Sequence, residues 1–128
     1  MSKENVELVR RLFSAIESEE FQVVLNLFDP EVEWSATEGT AHGIEGVVSS
    51  FVGWMETWDE HHIEPEEFLE CDDGRVLAAI HLSGLGQQSG VSIDQRFFQL
   101  YTVREGKVSR MVEYVDRDRA VRALGPPT

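Results

Sequence analysis

Cysteine is nearly absent: Cys71 stands alone among 128 residues, so no internal disulfide can form and a reducing cytoplasm is expected. No apolar run is long enough to cross a bilayer, and "MSKENVELVRR" at the start lacks the apolar stretch of a signal peptide. Positive charge is scarce too. Eleven Lys and Arg face 24 Asp and Glu, a formal net charge of −13. Such a chain repels phosphate backbones and anionic lipid, which argues against nucleic acid or a membrane surface as partner. A spaced set of metal ligands is missing as well. His61 and His62 are adjacent, would splay apart on a strand, and lie far from Cys71. No phosphate loop is present, because "SGLGQQSG" (83–90) leads into a strand and not a helix. Ser83 and Ser89 lack the strand-to-helix context of a nucleophile elbow. Neither metal nor cofactor is therefore expected.

What remains is an ordinary globular balance, 41% hydrophobic and 27% charged, in a length that suits one domain. That domain is expected over residues 1–125, with 126–128 as a tail. Val6, Val9, Leu12, Phe13 and Ile16 recur at helical spacing and predict a first helix over 4–17. Phe21, Val24, Leu25 and Phe28 predict a short second one, closed by Asp29-Pro30. "EVEW" (31–34) reads as a strand, followed by a loop that has room for a brief strand of its own. Ile44, Val47, Phe51, Met55 and Trp58 predict a longer helix from 44 to about 58. Four strands and a closing helix follow. Pro65 suits only an edge strand or a bulge. Helices first and then a mostly antiparallel sheet is an α+β pattern, with helices on one sheet face.

Three stretches carry a resemblance: "LVRRLFSAIESEEFQVVLNLFDPEVEW" (8–34), "HGIEGVVSSFVGW" (42–54) and "VREGKVSRMVEYVDRDRAVRALG" (103–125). Together they resemble the nuclear transport factor 2-like superfamily, SnoaL-like branch, over nearly the whole length. The resemblance implies a cystatin-like cone, a strongly bent sheet around N-terminal helices with a pocket at its open end, and often a homodimer. Ketosteroid isomerases, polyketide cyclases and limonene epoxide hydrolase share that fold. The catalytic positions of the isomerases fall on Leu12, Trp34 and Gln99, none of which matches. The acid that polyketide cyclases carry on the penultimate strand is Gln99 here. Limonene epoxide hydrolase's Arg-x-Asp pair falls on His81 and Ser83, and its last-strand Asp on Glu113, a surviving carboxylate.

The turn "VREGK" (103–107) decides which face Glu113 occupies. Glu resists positive φ, so a three-residue loop with Gly106 in that region is expected. Val103 then faces Lys107, Gln99 faces Met111 and Phe97 faces Glu113. This puts Phe97, Gln99, Tyr101, Met111, Glu113 and Val115 on the pocket face. Trp34, Trp54 and His42 are expected to join its wall. Glu113 is the candidate general base, with His81 or Tyr101 assisting. Loss of the family's usual acids favours a pocket that binds an apolar small molecule over an enzyme of the isomerase, cyclase or hydrolase kind, with an interaction module as a third possibility. Ile80, Leu82, Phe98 and Leu100 are expected to form one apolar row on the opposite face, through which two copies would pair.

Overall fold

The computed structural model describes residues 3–36, 39–56, 58–71, 73–86 and 92–123; the tail 126–128 and Gly125 lie outside them. Helix α1 spans Lys3–Glu17 and α2 spans Phe21–Leu27. The predicted stripe holds: Val9 and Leu12 are fully buried, with Phe13 close behind, and Val6 and Ile16 pack against them. Glu4 sits in the first turn of α1, where its charge suits the exposed N–H groups. Strand β1 (Phe28–Ala36) follows α2 directly, then β2 (Gly39–His42), α3 (Gly43–Met55), β3 (Trp58–Glu70), β4 (Val76–Gly86), β5 (Ser92–Arg104), β6 (Lys107–Tyr114) and α4 (Arg117–Ala123). Trp58 is not the end of α3. It opens β3, pairing with Gly86.

The six strands form one sheet in the order β2-β1-β6-β5-β4-β3, and only β1 and β6 run parallel. β3 is an edge, which explains how it tolerates Pro65; its pairing also shifts between Pro65 and Glu67, the bulge that proline invites. One face of the sheet meets α1, α2 and α3. Val32, Val76, Ala78, Ile80, Leu82, Phe97, Tyr101, Val108 and Met111 all belong to that single core. On the other face α4 lays Ala120 over Leu77 and Leu100, beside Phe98 and Tyr114.

The expected outer row is therefore not one surface. Ile80 pairs with Phe97 and so shares its inner face, as does Leu82, whereas Phe98 and Leu100 point outward. The reason is that "VLAAI" is apolar at every position, so alternation had no polar residue with which to tell the faces apart. No helix among the described residues is long and apolar enough to cross a membrane.

The β5–β6 turn also differs from expectation. Arg104 pairs with Lys107, leaving a two-residue loop in which Glu105 (φ 52°) and Gly106 (φ 76°) both adopt left-handed backbone. Two positive φ angles match the strand twist, which is what such loops require. Next, Val103 pairs with Val108 but Thr102 with Arg110, so Ser109 is an extra residue in β6. Its hydroxyl donates to the Thr102 carbonyl at 3.3 Å. The bulge returns the ladder to the expected parity. Gln99 consequently faces Glu113 and Tyr101 faces Met111, a different register that keeps the same face inward.

Candidate functional site

Two features meet on the inner side of the sheet, and Trp34 joins them. The first is a polar pair in an apolar setting. Tyr101 is fully buried, and its hydroxyl donates to Oε1 of Gln99 at 2.5 Å; Gln99 itself is 7% exposed. Burial pushes the Tyr101 phenol well above its ordinary range, and the negative charge of Glu113 adds to the shift. Tyr101 is thus held as a neutral donor. Its ring meets Phe13 and Trp34 edge-on, each at 6.1 Å between centroids. Glu113 stands directly across from Gln99 and is half-buried.

The second feature is a cavity of about 270 Å³ between the helices and β1. Ile16 ends one wall; Phe21, Val24 and Leu25 of α2 form another; Val47, Val48, Phe51 and Val52 of α3 close it, with Phe28 and Trp34 at the back. Its wall exposes no polar atom. Phe21 is 45% exposed and Val52 41%, so the cavity reaches the surface between the start of α2 and the last turns of α3. Phe28 and Trp34 pack edge-on at 5.8 Å and fix the back wall. Lys107 anchors α2 by donating from Nζ to the Asn26 carbonyl at 2.8 Å. Apolar walls of this kind accept apolar guests.

A wider groove of about 720 Å³, on the outer face, is lined by charged side chains that include Glu33 and Arg110. These two pair with each other at 3.6 Å, and the groove is open to water.

The structure gathers Trp34, Phe97, Gln99, Tyr101, Met111 and Glu113 on the inner face. Val115 continues the same row past the end of β6 but is 48% exposed. His81 is not with them. It pairs with Arg96 across β4–β5 on the outer face, and its Nε2 lies 2.7 Å from the Asp94 carboxylate. The β4 face that misplaced Ile80 misplaced His81 as well, so His81 cannot assist Glu113. His42 ends β2, exposed, paired with Glu33 and not with the Trp34 side of β1. The side chain of Trp54 lies outside the described residues. Among the described residues no cluster of His, Cys, Asp and Glu is placed to hold a metal ion. The α2 and α3 residues around the cavity were read from sequence only as core. One signal pointed further: α3 carries two adjacent apolar rows, Val47–Phe51 and Val48–Val52, wider than one packed stripe needs.

The family model described as the SnoaL-like domain matches residues 9–111. The chain belongs to that family. An uncharacterized protein of Mycobacterium tuberculosis is 28% identical over 116 residues, covering 86% of this chain and 87% of its own. Among solved structures, a putative SnoaL-like polyketide cyclase from Jannaschia sp. CCS1 superposes with a TM-score of 0.81 at 22% identity, over 99% of this chain and 96% of that one. TerC, co-crystallised with polyporic acid, gives a TM-score of 0.77 at 23% identity, over 94% and 97%. At such identities the likeness shows the fold alone, and it confirms the nuclear transport factor 2-like cone.

Proposed function

We propose that this SnoaL-like domain binds an apolar small molecule in the cavity between α2, α3 and Trp34. The observation that carries the reading is the cavity wall, which is hydrocarbon and aromatic throughout. At the packing density of protein interiors its volume takes a chain or ring system of about ten non-hydrogen atoms. Burying that many carbons is worth roughly 8 kcal/mol, of which association costs at least about 4 kcal/mol, so simple probes should bind at about millimolar. TerC, a protein of the same fold, was co-crystallised with a small organic molecule, polyporic acid, which supports small-molecule binding on this fold in general.

An enzyme built on Glu113 is the weaker reading. Glu113 does not line the cavity, and His81 occupies the opposite sheet face. We place the domain in the cytoplasm, on the strength of a single cysteine in the whole chain. The direct test is xenon under pressure, read by methyl NMR. Val24, Val47, Val48 and Val52 should shift while outer-face methyls such as Leu100 stay still. Uniform or absent shifts would remove the cavity from consideration.

A further inference from the structure

The chain carries its charge in two blocks. Residues 12–74 hold 17 of the 24 Asp and Glu, and none of the 11 Lys and Arg. Every segment that lines the apolar cavity comes from this stretch: the end of α1, all of α2, the inner residues of β1, and α3. The chain next to the lining residues Ile16, Phe21 and Val52 is acidic accordingly. Glu17 follows Ile16 at the end of α1, Glu19 and Glu20 lead into Phe21, and Glu56 lies one turn beyond Val52, its N–H bonded to the Val52 carbonyl at 3.0 Å. All four side chains belong to exposed residues.

Backbone dipoles act in the same direction. α1 and α3, of 15 and 13 residues, both end beside these lining residues, and neither has a basic residue in its last turn. Their carbonyl ends carry partial negative charge, which favours a cation there and disfavours an anion. Lys107, a cation that touches α2, is engaged at Asn26, at the other end of that helix from Phe21.

A guest cannot turn its polar end inward, because the wall has nothing to pair with it and an unmatched polar group is costly to bury. It must enter hydrocarbon first and leave that end among the carboxylates. Resting on the cavity binding above, we propose that the ligand is an amphiphile with a small apolar body and a cationic, amine-type end, and that carboxylates and phosphates of the same hydrocarbon are rejected.

Three probes with one chain test this: octylammonium, octanol and octanoate, titrated at neutral pH and low salt. Affinity should fall in that order, with about tenfold between the first and last. The gap should narrow in high salt, because exposed charges are screened. Converting Glu17→Lys together with Glu20→Lys balances Glu19 and Glu56, and should close most of the gap between octylammonium and octanoate while leaving xenon uptake unchanged. If wild-type octanoate binds as well as octanol, the charge selection is wrong even though xenon still enters. If xenon fails to enter, the cavity reading fails and this proposal falls with it.

Discussion

Replacing Tyr101 by Phe isolates one hydroxyl in the most buried part of the inner face. Tyr101 is 0% exposed and Gln99 7%, and the hydroxyl is the donor that Oε1 of Gln99 uses. Its removal keeps the ring contacts with Phe13 and Trp34 and leaves a buried acceptor without its partner. An orphaned buried polar atom costs about 1–3 kcal/mol. Two kcal/mol in a chain of this length lowers Tm by roughly 6–10 °C. Gln99→Leu should cost a similar amount, by orphaning the phenol instead. The double variant has neither orphan, so its loss should fall short of the sum by about 1 kcal/mol or more. Urea unfolding followed by tryptophan fluorescence measures all three, provided the m-value stays constant. Additive losses would refute the pairing.

The same substitution has a pH signature. Burial, and then the Glu113 charge, raise the Tyr101 pKa above its unfolded value. A raised pKa means that the folded state keeps the proton longer. The associated stability is complete below about pH 10, the unfolded value, and is lost as pH rises from there towards the folded one. The slope for one such group is about 1.4 kcal/mol per pH unit. Tyr101→Phe should abolish that alkaline decline. Parallel curves for wild type and variant would mean that the phenol is not buried.

Val48→Phe should fill part of the cavity, abolish the response of tryptophan fluorescence to octanol, and leave Tm unchanged or higher; retained binding would place the probe elsewhere. Trp34→Ala should destabilise by about 2–4 kcal/mol, below the full cost of a buried Trp because this one is half-buried, and should weaken octanol binding. His81→Ala removes a partly exposed pair with Asp94, so stability should change by less than about 1 kcal/mol and octanol affinity not at all. A loss of binding in His81→Ala would return it to the inner face.

How far the sequence could be read depended on how much contrast each element offered. α1 has one apolar stripe against charged residues, and its extent was legible to within a residue. β3 announced its edge position through Pro65. β4 offered no contrast: Val76, Leu77, Ala78 and Ile80 are all buried, some under the helices and some under α4. Its face was therefore undetermined, and His81 went wrong with it. The β5–β6 hairpin is a subtler case. Reluctance of Glu to take positive φ argued for a three-residue loop, but Glu105 takes it because a two-residue loop follows the strand twist. The bulge at Ser109 then adds one residue. Two departures of one residue each leave the side-chain parity intact, so Glu113 faces inward although every pair along the hairpin is shifted.

The cavity was out of reach for a different reason. Apolar periodicity reports which side of a helix turns inward, not whether the space there is filled. Val48 and Val52 lie beside the row that packs, and Phe21 begins α2 with nearly half its surface exposed. A core position with a free choice would carry larger or better-matched side chains, because each missing methylene forfeits contacts on both sides. Four valines and three phenylalanines around an empty volume at the end of two helices are poor packing, yet the polar pair next door is closed to within hydrogen-bond distance. Looseness on one side of Trp34 and tight closure on the other is the pattern of a wall between a site and the scaffold that holds it. That contrast, and not any catalytic motif, is what the chain offers as evidence of function.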